Sequence, residues 1–184
     1  SHNQLFVSSE ELVKTIGIMP LLDSIERTRM SRPIIIMAVA KGDVKKLLTK
    51  SIPIEQVTGL SITDQIEITY EEISGTTAEN AKTFLNKVSS PGIEPVAVHL
   101  ELIEDKKEKN DQEKQAKSPL LRIMGKAAFR NGKMVGSLNE TETRGCNWIM
   151  GEIHRAVFSF KFPQKSKKYV TIVSQDVASN FKPI

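Results

Sequence analysis

Cysteine is almost missing from this sequence. The single residue, Cys146, excludes an internal disulfide and with it the stapled scaffolds of small secreted domains. The three histidines, His2, His99 and His154, stand too far apart to form a zinc site with that cysteine. Aromatic residues make up only 5% of 184 positions, so a core must be built from Ile, Val and Leu. No apolar run approaches the ~20 residues of a membrane helix, since the longest extends only from Ile34 to Ala40. G-x-S-x-G, H-E-x-x-H, P-loop and dinucleotide glycine patterns are all lacking, which removes the common signatures of hydrolytic and nucleotide-dependent enzymes. A signal peptide is lacking too. Gln4 to Val7 reads as a strand already under way, so the chain is expected to be part of a longer protein, and the missing leader says nothing about export.

What is present suits one ordinary domain or two small ones. Hydrophobic residues at 39% and charged residues at 26% give a globular balance. The net charge of +4 comes from 26 cations and 22 anions that are interspersed along the chain. No nucleic-acid footprint is therefore expected.

Along the first half, strand and helix alternate. Ser8 with Glu11 has the spacing of a capping box, followed by Leu12, Val13 and Ile16 as an apolar helical face and Gly17 as a stop. A short helix after Pro20 carries Leu21, Leu22 and Ile25. Pro33 to Ala40 reads as a buried central strand, and Asp43 as the cap of a brief helix through Leu47 and Leu48. Ile54 to Ile73 fits either strand or helix, and helix is the reading adopted. Another helix is expected from Thr77, burying Ala81, Phe84, Leu85 and Val88. After a turn at Pro91-Gly92, the alternation of Val96, Val98, Leu100 and Leu102 predicts a strand with one solvated face, on which His99 would sit.

Residues 105–117 hold no apolar side chain except Ala116, and they read as a polar linker or loop. Beyond them Leu121, Ile123, Ala127 and Phe129 lead to Asn131-Gly132, a hairpin signal, and Met134 to Leu138 returns. Asn139 with Glu142 again has capping-box spacing, and Gly151 can end that helix. Two further strands follow, the first through Ala156, Phe158, Phe160 and Phe162, the second from Tyr169 to Ser174. The fold class expected is α+β. A mixed sheet with several helices fills the first part, and a small antiparallel sheet covered by one helix (ββαββ) the second. The divisions are 1–104, the linker 105–117, and 118–184.

Glu140-Thr141-Glu142-Thr143-Arg144-Gly145 is the most pointed local feature. Paired carboxylates could bind a metal or move protons, but acidic residues in a first helical turn also complement its free amides. Arg144 falls at i+4 from Glu140 and can pair with it. The structural reading is preferred, with Cys146 inert and Trp148 packed against the sheet. Lys161, Lys165, Lys167 and Lys168 flank aromatic residues, an arrangement open to single-stranded nucleic acid or anionic lipid, yet it reads as a solvated turn. No catalytic residue, cofactor or metal ligand is assigned.

Three phrases carry a family resemblance across most of the chain. They are Ser89-Ser90-Pro91-Gly92-Ile93-Glu94-Pro95-Val96, then Gly125 to Phe129 with Gly132 to Gly136, then Glu142-Thr143-Arg144-Gly145-Cys146-Asn147-Trp148. In this order they resemble the Ger(x)C lipoproteins, the C subunits of bacterial spore germinant receptors, and the stretch His2 to Leu12 is similar as well. The resemblance implies a non-enzymatic subunit of a nutrient receptor, held by a lipid anchor on the outer face of the spore inner membrane. It implies integral membrane A and B subunits as partners. It further implies three α+β domains, of which this chain would hold the latter part of the first and the middle one. Cys146 does not match the lipidated position. Glu140, Glu142, Arg144 and Trp148 are the candidate interaction surface. Two other readings remain open: a small-molecule domain that binds the nutrient itself, and a basic nucleic-acid or anionic-surface binder. An open sheet edge could also pair with a second copy.

Overall fold

Strand β1 (Leu5–Ser9) turns directly into helix α1 (Glu10–Thr15), because the Ser9 hydroxyl accepts a hydrogen bond from the Leu12 amide at 3.3 Å. The cap is thus Ser9 rather than the expected Ser8, which is buried in the strand. That one-residue shift puts Val13 inward and leaves Ile16 60% exposed, not on the apolar face. This is a computed structural model, and it describes residues 5–27, 35–45, 58–103, 120–161 and 169–177.

Helix α2 (Met19–Arg27) holds Pro20 in its first turn, where a missing amide hydrogen does no harm. Strand β2 (Ile36–Lys41) follows, and Asp43 Oδ1 accepts from the Lys45 amide at 2.9 Å. The rest of the helix expected there lies outside the described residues. The ambiguous stretch is helical, as α3 (Thr58–Ile73). Helix α4 (Ala81–Ser89) begins at an Asn80 cap rather than at Thr77. Thr77 is buried in the preceding loop, whose extended backbone reaches the sheet through an Ile36–Asn80 bridge.

Strands β3 (Val96–Ile103), β4 (Leu120–Arg130) and β5 (Lys133–Leu138) complete a sheet of order β1-β2-β3-β4-β5. The first three are parallel, and the last two are added antiparallel. Asn131 and Gly132 take φ of 50° and 73°, the twist that a two-residue hairpin needs. Helix α5 (Glu140–Met150) leads to β6 (Ile153–Lys161), which pairs with β7 (Tyr169–Val177) in a separate antiparallel ladder. The α+β class holds, with the strand–strand–helix–strand–strand order of the second part. Its first hairpin forms the last two strands of the five-stranded sheet, while β6 lies against α3 and carries β7 as its partner.

Both faces of the sheet are covered. On one, α1, α2 and α4 bring Val13, Leu22 and Phe84 against Met37, Val39 and Phe129. On the other, Ile62 and Ile66 of α3 meet Ile36, Ala38, Val98 and Leu100. Full burial of each such side chain contributes about 1.5–3 kcal/mol. This double cover explains the continuous apolar run of β2. It also corrects the expectation of a solvated face on β3. Ala97 and His99 are as buried as Val98, because α1 lies over them.

One irregularity sets the course of β4. Between His99 and Leu100 the β3–β4 register shifts, pairing His99 with Gly125 and Leu100 with Ile123. Gly125 takes φ +125°, and a Cβ there would lie 2.3 Å from the Leu138 carbonyl oxygen and 2.6 Å from Thr143 Oγ1. Only glycine fits.

Candidate functional site

Glu140, Glu142, Arg144 and Trp148 share helix α5, whose ends are both fastened. Asn139 Oδ1 accepts from the Glu142 amide at 3.0 Å, and the Glu142 carboxylate accepts from the Asn139 amide at 2.8 Å. At the other end Gly151 adopts φ 73°, and the Glu152 amide donates to the Asn147 carbonyl at 2.8 Å. Arg144 pairs with Glu140 one turn away, as the spacing predicts. Glu140 and Glu142 are exposed, Arg144 and Trp148 are half-buried, and Ile149 and Met150 also reach solvent.

The inward positions belong to residues that the sequence reading passed over. Thr143 and Asn147, one turn apart, are fully buried. Asn147 Nδ2 donates to the carbonyls of Ser74 and Thr76 at 2.9 and 3.0 Å. Two carbonyl acceptors fix which end of the amide faces them. Thr143 Oγ1 donates to the Leu138 carbonyl at 3.3 Å, and Thr76 Oγ1 donates to the Gly125 carbonyl at 2.9 Å. Ser74, at φ 49°, donates from its hydroxyl to the Arg155 carbonyl at 2.9 Å and accepts from the His154 amide at 3.2 Å. The loop 74–77, the Gly125 bulge and α5 thus form one hydrogen-bonded seam. The apolar periodicity of α5 pointed elsewhere: Cys146, Ile149 and Met150 fall on one stripe at i, i+3 and i+4, yet Ile149 and Met150 are exposed, so no local signal marked Thr143 and Asn147 as the inward face.

Beside the seam lies a chain of buried charges. Lys126 has no exposed surface, and burying such a cation costs several kcal/mol of hydration that a paired charge must offset. Glu152 Oε2 lies 3.1 Å from its Nζ. The other Glu152 oxygen is 3.7 Å from Lys87 Nζ, which in turn lies 3.0 Å from Glu79 Oε2. Burial pushes the Glu79 carboxyl above its ordinary value, and Glu152 adds to this, against the opposing hydrogen bond and charge of Lys87. Burial likewise raises the Tyr70 phenol, helped by Glu152, Glu71 and Glu79. Tyr70, Glu79, Lys87 and Glu152 line a pocket of about 170 Å³.

His99, expected on a wet face, instead lies buried with Nε2 3.2 Å from Glu10 Oε2. Burial alone would raise the Glu10 carboxyl, but Lys14 and His99 hydrogen-bond to it and hold it below its ordinary value. His154 is exposed and meets the Tyr70 ring edge-on at 4.6 Å, whereas His2 lies outside the described residues. Among the described residues no three His, Cys, Asp or Glu side chains are grouped to hold a metal ion. None of the described helices is long and apolar enough to cross a membrane. The lysines of the expected basic turn, Lys165, Lys167 and Lys168, are outside the described residues. An open groove of about 350 Å³ runs between α3 and the start of β4, with Ile68, Ile73, Leu121 and Ile123 on its walls and Glu140 at its rim.

These features define an α+β protein in which a polar seam seats one helix and leaves its charged side in solvent. The spore germination protein N-terminal domain matches residues 1–102, and the spore germination B3/GerAC-like C-terminal domain matches residues 124–184. The chain belongs to the Ger(x)C family of spore germination proteins, which ties it to that process. Among solved structures, the crystal structure of the GerBC protein is similar, with a TM-score of 0.52 and 16% identity. That likeness concerns the fold, and it covers 99% of this chain but 56% of the other. A search of curated proteins found no match.

Proposed function

We propose that this chain is part of a non-enzymatic C subunit of a spore germinant receptor, working through contacts with two integral membrane subunits, A and B. In the whole protein a lipid anchor would hold it at the outer face of the spore inner membrane, and nutrient binding elsewhere in the receptor would be relayed through those contacts. Membership of the family supports the process. The observation that supports the mode of action is the division of labour on α5. Its buried side is spent on Thr143 and Asn147, while Glu140, Glu142 and Arg144 face outward beside an apolar groove. Charged rims around apolar patches are the ordinary anatomy of protein interfaces.

Receptor assembly tests this directly. The full-length protein carrying Arg144→Glu or Glu140→Arg is expressed in spores, and A and B are recovered with it from solubilised membranes. Recovery is expected to fall at least about tenfold, the effect of losing ~1.4 kcal/mol, while stability stays within about 0.5 kcal/mol. Glu142→Gln keeps a capping-box acceptor and separates loss of charge from loss of the cap. Undiminished recovery with both charge reversals would remove α5 from the interface.

A further inference from the structure

Lys87 stands between two carboxylates that belong to different parts of the chain. Glu79 Oε2, in the same matched segment as Lys87, is 3.0 Å from Nζ, whereas Glu152 Oε1, across the seam, is 3.7 Å away and beyond hydrogen-bond reach. We propose that Lys87 is a proton-operated latch across the seam, held by Glu79 when that carboxylate is ionised and released to Glu152 when it is protonated.

The geometry favours this order of events. The Glu79 side chain is only 3% exposed, against 18% for Lys87 and 28% for Glu152, so of the two carboxylates Glu79 carries its charge at the greater desolvation cost. Every element packed nearby contributes. Lys87 comes from α4, and Glu152 from the connection after α5. Lys126 comes from β4, Tyr70 and Glu71 from α3, and the Val96 amide from β3. Lys126 occupies Glu152 Oε2, so Oε1 is free to accept Lys87 without displacing it. Proton uptake from solvent turns Glu79 into a neutral acid, and its attraction for Lys87 drops to that of an uncharged acceptor. The ammonium then closes the remaining gap to Glu152 and ties α4 to the start of β6.

The sign of the pH dependence is set by Glu79. Its folded carboxyl titrates above its ordinary 4.5. The stability linked to it is therefore greatest below that ordinary value and is lost as pH rises through the raised one. Glu10, held below 4.5, works in the opposite sense, losing its contribution as pH falls. The measurement must isolate Glu79.

The test is a carboxyl-carbon NMR titration of the chain from pH 4 to 8, with amide exchange at Glu152 and His154 divided by random-coil rates. A Glu79 midpoint above 4.5 is expected, with protection at both amides rising about tenfold as pH falls through it. The Glu79→Gln variant should behave as permanently released: protection independent of pH, and a Tm at neutral pH about 3 °C above that of the parent. Any pH response shared by both chains cancels in the difference. A Glu79 midpoint at or below 4.5, or protection that does not change across it, overturns the latch. So does a Glu79→Gln chain that keeps the parental pH slope, and the titration of the parent decides the matter even if the variant fails to fold.

Discussion

The two sides of α5 are only a helix radius apart, yet they obey different rules. On the outer side, Glu140 and Arg144 pair in water, where such a bond is worth a few tenths of a kcal/mol. On the inner side, Asn147 feeds two carbonyls that no solvent reaches, and leaving those unpaired costs about 1–3 kcal/mol each. One phrase of eleven residues therefore contains letters that hold and letters that face out. A strong motif in a sequence does not say which letters are which.

Breaking the inner side should have the larger consequences. Gly125→Ala is expected to be the most severe change, destabilising by more than about 3 kcal/mol in urea denaturation. It combines a left-handed backbone with a Cβ driven into the Leu138 carbonyl. Asn147→Ala should follow at about 2–3 kcal/mol, and it should loosen the amides of the loop 74–77 in hydrogen exchange before global unfolding. Asn139→Ala removes only the cap and should cost about 1 kcal/mol, measured in the same way. Arg144→Ala should be the mildest, within about 0.5 kcal/mol, and any effect it has belongs to assembly. If Asn147→Ala proved as mild as Arg144→Ala, the contrast between the two sides would collapse.

Local chemistry was readable in the sequence, whereas long-range burial was not. The capping box at Asn139 and Glu142, the Glu140–Arg144 pair, the Gly151 stop and the Asn131-Gly132 hairpin depend on neighbours within a few residues, and all are found. His99 was misplaced because its burial depends on Glu10 and α1, 89 positions away. Thr143 and Asn147 escaped notice for the same reason, since the partners of Asn147 in the loop 74–77 are 73 and 71 residues upstream. Trp148 drew attention by its size, but it is the smaller, polar Asn147 that takes the fully buried place. The Ser8 assignment failed by a single residue, the usual scale of error at a helix start.

Strand β4 shows a subtler limit. Leu121, Ile123, Ala127 and Phe129 all fall on odd positions, the pattern of one buried face. In the structure Leu121 and Ile123 pack with α3, while Ala127 and Phe129 pack with α1, α2 and α4. The extra residue at the bulge rotates the strand by half a period, so one alternation serves two cores.

The bulge also makes β4 intolerant in an unusual way. Met124 is the extra residue: were the bulge straightened with Met124 kept, Ile123 would slip from Leu100 to Glu101, and Leu121 and Ile123 would turn away from α3 toward the opposite layer. The groove beside Glu140 would lose its apolar wall together with part of the core. At this place the chain is sensitive to register before it is sensitive to chemistry: taking Met124 out would leave Ile123 opposite Leu100 and Leu121 opposite Leu102, whereas keeping it without the kink at Gly125 would turn both side chains over.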